Sequence, residues 1–462
     1  MNARPLSQWE PENPEFWRST GERVARHNLW ISVLALMLSF GVWMVWSMVV
    51  VNLPNVGFRF STNQLFWLAA LPALCGATLR IFYAFMVPMF GGRMWTTLST
   101  ASLLLPALGI GFAVQDPDTG YPALLLLSLL CGLGGGNFAS SMANISYFFP
   151  DSRKGTALGL NAGLGNLGVS LAQLLVPLAV AGSLFGPLGG VPQIWSGAEG
   201  VSVIWLQNAG FIWVPLIIAS ALWAWFGMND LPGVRASFAE QAVIFVRKHN
   251  WLMCWLYLGT FGSFIGYSAG FPLLLQTQFP VAEGMHYAFL GPLLGALSRP
   301  AGGWLADRAG GARVTFWNFV VMVAGVLLVV VSLPDAQGGG SLPGFFGAFL
   351  LLFVTAGVGN GSTFRMIPEI FRIEHMRQTA CDGRPDATAR ALREAGKESA
   401  AVLGFTSAIA AYGGFFIPKS YGTSIALTGG PQAALWVFVV FYVTCMLITW
   451  WYYLRDGAET PC

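Results

Sequence analysis

About twelve stretches of this chain are each long and apolar enough to cross a lipid bilayer. They run over 29 to 52, 64 to 89, 95 to 114, 121 to 149, 155 to 182, 203 to 227, 250 to 275, 286 to 306, 314 to 333, 345 to 369, 399 to 422 and 433 to 454. In hydrocarbon an unpaired peptide group finds no water, so a segment of this length must close its hydrogen bonds within a helix. The predicted fold class is therefore an all-α integral membrane protein. Composition agrees: 55% of the 462 residues are hydrophobic and 10% are charged, against about a quarter charged in a soluble domain. A net charge of +3 with no basic arm set apart from the spans gives no footing for a nucleic-acid partner. Cys75, Cys131, Cys254 and Cys445 fall inside apolar stretches and Cys462 is terminal. They read as small buried hydrophobes, and no metal or cofactor is expected.

Lys and Arg orient the chain. Arg18, Arg23 and Arg26 precede the first stretch, and Arg93, Arg153, Lys154, Arg247, Lys248, Arg308, Arg313 and a run from Arg372 to Lys397 recur at every second loop. The alternate loops hold little beyond Arg59 and acids such as Asp116, Asp118, Glu199, Glu283 and Asp335. The positive-inside rule then puts both termini in the cytoplasm, and the opening "MNARPLSQWEPENPEFWRSTGERVARHN" is polar for too long to be a cleavable signal. The expected organisation is a cytoplasmic segment (1-28), a six-helix bundle (29-227), a cytoplasmic linker (228-249), a second six-helix bundle (250-455) and a cytoplasmic tail (456-462). Within the linker, "SFAEQAVIFVRKHN" is expected as an interfacial helix.

The two bundles repeat each other. "GALSRPAGGWLADRAGG" (295 to 311) stands in the second where "GATLRIFYAFMVPMFGGR" (76 to 93) stands in the first, and "GVGNGSTF" (357 to 364) answers "GGGNFASS" (134 to 141). Duplicated halves imply a transporter with its site between them near the midplane. Four cations fall inside the spans, and Arg365 and Lys419 lie toward helix ends where long side chains snorkel. Arg80 and Arg299 stand deeper, at equivalent positions of the repeat. A charge at the bilayer centre costs roughly 2.5 to 3.5 kcal/mol on insertion scales. The acids Asp151, Asp230, Asp307 and Glu369 all lie near span ends, so the counter-ion is expected to be the cargo. A guanidinium fork matches two oxygens of a planar oxyanion.

Further along, "GGWLADRAGGAR" (302 to 313) resembles the loop signature G-x-x-x-D-R-x-G-x-R of the major facilitator superfamily, while its first-half counterpart "FGGRMW" is degenerate. The resemblance implies that Asp307, with Arg308 beside it, pairs with nearby basic groups or helix ends and latches the cytoplasmic face. Two longer motifs, "ALGLNAGLGNLGVS" (157 to 170) and "LGFTSAIAAYGGFFIPK" (403 to 419), resemble the paired nitrate signatures of the NarK-type nitrate/nitrite porters, Ala162 departing from the usual glycine. The likeness continues through "WEPENPEFW", "NLWISV", "NFASSMANISYFFP" and "YLGTFGSFIGYSAGF". It implies a multi-pass protein of the bacterial inner membrane, monomeric, with nitrate and nitrite as cargo. By the same resemblance Phe138 and Phe261 flank the planar anion, the Tyr257 hydroxyl donates to it, and Asn166 reaches it, with Ser407 a second polar candidate.

Spacing adds a packing role. Gly159, Gly163, Asn166 and Ser170 share one helix face, and Gly404, Ala408 and Ala411 form a second stripe. With Gly165, Gly413 and Gly414 these are expected to let helices approach and slide. Coupling is read from what the spans lack: His27, His249, His286 and His375 all lie at or outside span ends, leaving no obvious proton carrier. The expected activity is nitrate/nitrite exchange by alternating access. The alternatives are a proton-coupled nitrate symporter on the same fold and, more distantly, a nitrate receptor that does not transport; no nucleophile, metal or acid/base cluster suggests an enzyme.

Overall fold

The computed structural model describes residues 6, 8–197, 200–231, 242–280, 286–334, 339–379 and 387–462. Its long helices are α1 (Pro14–Asn52), α2 (Thr62–Tyr83), α3 (Gly92–Ala113), α4 (Tyr121–Phe148), α5 (Asp151–Val180), α6 (Asn208–Gly227) and α7 (Lys248–Gln278). After these come α8 (Leu290–Ala309), α9 (Gly311–Ser332), α10 (Leu342–Thr379), α11 (Arg390–Thr428) and α12 (Gln432–Leu454). Among the described residues, eleven of these are long and apolar enough to cross a membrane. The exception is α8, whose 20 residues carry Arg299, Asp307 and Arg308. The all-α expectation thus describes the spans, with one small addition. Between α5 and α6 a hairpin pairs β1 (Gln193–Gly197) with β2 (Gly200–Ile204), Ile194 opposite Val203. The expected interfacial helix lies partly outside the described residues, at 237–241; in its remainder, Ala242–Val246 forms a short 3₁₀ helix.

The chain gathers into two compact units, one of Met1–Ala236, Gly266–Leu293 and Gly414–Gly429, the other of Ser237–Ile265, Leu294–Gly413 and Gly430–Cys462. In the first unit, proline explains several cross-helix bonds. Pro72 in α2 has no N–H for the carbonyl of Leu68, and Ser128 Oγ of α4 donates to that carbonyl at 2.6 Å. Trp43 Nε1 of α1 donates to the carbonyl of Pro72 itself at 2.8 Å. Pro272 in α7 likewise frees the carbonyl of Ser268, which accepts from Gln173 Nε2 of α5 at 2.6 Å. A proline inside lipid is tolerable because a neighbouring helix replaces the lost donor.

The start of α1 is tied down by polar and apolar contacts together. Asn13 Oδ1 accepts from the amides of Glu15 and Phe16, Trp9 Nε1 donates to the carbonyl of Tyr147 at 3.1 Å, and Glu12 Oε1 accepts from the first amide of α5, Asp151, at 2.8 Å. Trp17, Leu29, Ile145, Phe148 and Phe149 form the apolar cluster behind them. In the second unit, α7 loosens over Leu258–Gly262 into a π-helical turn, a local widening that often accompanies functional sites.

Candidate functional site

Arg80 is 1% exposed, near the end of α2. Its depth depends on close contact between α2 and α4. A Cβ on Gly135 would stand 3.0 Å from Gly76 Cα and 2.6 Å from the Trp43 ring, so only glycine lets these helices meet here. The contact brings Arg80 Nε to the carbonyl of Gly135 at 2.9 Å. The guanidinium carbon lies 4.6 Å from the ring centroid of Phe138, 5.2 Å from Trp43 and 5.8 Å from Phe40. Each such cation–ring contact is worth about 0.5 to 2 kcal/mol, which offsets much of the desolvation of the charge. Phe138 is thus placed beside Arg80, with Phe40 stacked on it at 6.0 Å.

The second unit builds a related arrangement around Arg299. This side chain is 6% exposed, its guanidinium carbon 5.2 Å from the Phe364 ring of α10. Among the described residues its buried Nη1 has no hydrogen-bond partner. Glycine again sets the helix spacing, since a Cβ on Gly361 would meet the carbonyl of Arg299 at 2.2 Å. In α7, Tyr257 and Phe261 are both 1% exposed and their rings stack, 5.5 Å between centroids and 18° between planes. The Tyr257 hydroxyl donates to Asn360 Oδ1 of α10 at 2.7 Å.

The signature helices place their residues unequally. Asn166 is 1% exposed and its Oδ1 has no hydrogen-bond partner among the described residues. Ser170 Oγ donates to the carbonyl of Phe289 at 3.0 Å, and Ser407 Oγ to the carbonyl of Gly404 at 2.8 Å. A Cβ on Gly165 would meet Leu36 at 2.7 Å and one on Gly413 would meet Gly262 Cα at 2.5 Å, whereas at Gly159, Gly163 and Gly404 it would meet nothing within 4 Å. Asp307 accepts from Arg365 Nε at 2.7 Å, both about half exposed, and Arg308 lies over Trp304 at 4.1 Å.

Sequence reasoning passed over Phe40, Trp43 and Asn360 as neighbours of the site, and one buried acid. Glu398, at the start of α11, has a side chain 6% exposed. It accepts from Arg247 at 2.5 and 3.1 Å and sits 2.6 Å from His375 Nε2. The hydrogen bond to Glu398 holds the Arg247 guanidinium above its ordinary pKa. Position one residue outside the expected eleventh stretch is why composition alone did not flag it.

The sequence pattern of the Major Facilitator Superfamily matches residues 31–379. A relative described as "Nitrate/nitrite transporter NarU", from Salmonella typhimurium, is 53% identical over 456 residues, covering 98% of this chain and 97% of its own. Another, "Probable nitrate/nitrite antiporter NarK2" of Thermus thermophilus, is 44% identical over 463 residues, covering 99% and 98%. Among solved structures, a bacterial homolog of the human lysosomal transporter Spinster, in an inward-facing and occupied conformation, superposes with a TM-score of 0.63 at 16% identity, covering 91% of this chain and 95% of that one. That last likeness is one of fold alone. The chain belongs to the major facilitator superfamily, in its family of NarK- and NarU-type nitrate/nitrite transporters.

Proposed function

We propose that this chain exchanges nitrate for nitrite across a bacterial inner membrane by alternating access, importing the first and exporting the second, with Arg80 and Arg299 binding the anion. The observation that carries the reading is Arg299, a nearly buried cation whose Nη1 is without a partner among the described residues. A guanidinium in that condition is costly in a span and is relieved by an oxyanion that accepts two parallel hydrogen bonds. Lysine would supply charge without that planar fork. Arg80 stands at the equivalent place of the other half, beside aromatic faces that favour a flat ligand over a tetrahedral one. The relatives' names support the same cargo.

Exchange is a consequence of the charge. An empty carrier would have to reclose around two desolvated cations; a bound monovalent anion lowers that barrier, and the return stroke needs another anion. Proteoliposome counterflow tests this: labelled nitrate should enter only against internal nitrate or nitrite, with or without a pH gradient. Uptake driven by a pH gradient alone into vesicles free of both anions would overturn it. That outcome is what the second reading, proton-coupled symport, requires, and the buried Glu398–His375 pair is the observation in its favour. Glu398→Gln separates the two, since exchange should retain counterflow whereas symport should lose its pH-driven uptake.

A further inference from the structure

The Tyr257 hydroxyl has one proton, and two acceptors have a claim on it. In this structure it is donated to Asn360 Oδ1, 2.7 Å away, both residues 1% exposed. This inference rests on the proposed function, together with the donation from the same hydroxyl to the bound anion that the family resemblance implies. A phenol that turned to the anion would leave a buried amide oxygen without its donor, at about 1 to 3 kcal/mol. Asparagine is the side chain that avoids this. Its amide has an acceptor and a donor end of nearly the same shape, so a half-turn about its last side-chain bond presents Nδ2 to the phenolic oxygen.

We propose that Asn360 is a positioning residue that works in two states. Without anion it accepts the Tyr257 proton; with anion bound it turns and donates to the Tyr257 oxygen, freeing that proton for the cargo. One O–H···O bond is exchanged for one N–H···O bond inside the protein and one O–H···anion bond, and the amide oxygen takes the place of Nδ2, a position that is not sealed from solvent.

The surroundings of Asn360 fit this role. It sits on α10 one residue before Gly361, whose lack of a side chain admits the backbone of Arg299, and four before Phe364, whose ring faces the Arg299 guanidinium. One turn along, Thr363 Oγ1 lies 3.2 Å from Thr260 Oγ1 of α7 and donates to the carbonyl of Gly359. That second pair fixes α7 against α10 independently, so Asn360 is not needed as the seam that joins them. Asn360, Gly361 and Phe364 therefore set both of this unit's candidate anion donors, the phenol through Asn360 and the guanidinium through Gly361 and Phe364.

The test is a double-mutant cycle on full-length protein in detergent, with nitrate affinity read by calorimetry and folding by thermal unfolding. Asn360→Asp, able to accept but not to donate when ionised, and carrying a charge of the wrong sign, should weaken nitrate by roughly 100-fold or more; Asn360→Ala should weaken it by roughly 5- to 20-fold, the worth of one hydrogen bond. In a Tyr257→Phe background Asn360→Ala should change affinity less than about 2-fold, because the two act as one unit. Thr363→Val, which breaks the neighbouring pair, should leave affinity unchanged. Equal losses from Asn360→Ala in both backgrounds, or full affinity in Asn360→Asp, would overturn the two-state role while leaving the transport reading intact. Absence of nitrate binding in the unsubstituted protein would instead remove the reading on which it rests.

Discussion

Replacing Arg299 by methionine should make the anion-free protein more stable and the anion-bound protein less so, an opposition of signs that a purely structural arginine would not give. Methionine fills the space of the arginine stem without its charge. A central charge costs roughly 2.5 to 3.5 kcal/mol in a span. The Phe364 ring at 5.2 Å returns about 0.5 to 2 kcal/mol of that, and the buried Nη1 returns nothing through hydrogen bonding among the described residues. Relief of about 0.5 to 3 kcal/mol is therefore expected without anion. Binding should suffer far more. Two charge-assisted hydrogen bonds at about 1.5 to 3 kcal/mol each correspond to roughly 10² to 10⁴ in affinity. Arg299→Lys keeps the charge, loses one of the pair, and should fall tenfold to a hundredfold, roughly 1.5 to 3 kcal/mol. Thermal unfolding in detergent reads both effects. Nitrate at a hundred times its dissociation constant stabilises the unsubstituted protein by about 2.7 kcal/mol; the same concentration should give Arg299→Met less than about 0.4 kcal/mol. The reasoning fails if Arg299→Met melts below the unsubstituted protein without nitrate, or keeps its nitrate-dependent rise.

Other expectations concern packing and pH. A Cβ on Gly168 would lie 2.0 Å from the carbonyl of Met37, so Gly168→Ala should cost about 1 to 3 kcal/mol of stability. Gly163→Ala, which meets nothing within 4 Å, should fold normally; if its face closes against a neighbour during rocking, counterflow will slow at unchanged thermal stability. Ser128→Ala removes the hydroxyl that serves the carbonyl freed by Pro72 and should cost about 1 to 3 kcal/mol in the same melting assay. A hydrogen bond from Lys248 holds Glu459 below the ordinary carboxylate range. Because that pKa is depressed on folding, its contribution is present at neutral pH and lost as pH falls through the folded value. Lys248→Gln should therefore lower the melting temperature slightly at pH 7, with the difference closing below about pH 4.

The spans were legible in the sequence because bilayer thickness fixes their length, and Arg80 and Arg299 because a charge is conspicuous against an apolar background. Their surroundings were not. Trp43 faces Arg80 only because Gly76 and Gly135 allow contact between backbones, and in a chain with 19 tryptophans and 35 phenylalanines no aromatic announces such a role. The widened turn at Leu258–Gly262 changes no composition and leaves no periodic signal over five residues. The case of the paired asparagines shows where a repeat stops informing. Asn137 and Asn360 are readable as equivalents, yet Asn137 Nδ2 donates to Ser39 Oγ at 2.8 Å whereas Asn360 Oδ1 accepts from Tyr257 at 2.7 Å. Duplication preserved the amide and its place; the direction differs because Ser39 gives its own proton to the carbonyl of Ala35 at 2.7 Å and so accepts from Asn137, whereas Tyr257 gives its proton to Asn360. Under the proposed function such asymmetry would have a use, since arginines of both halves would attract the anion alike while a phenol present in only one half would distinguish a bound anion from an empty site.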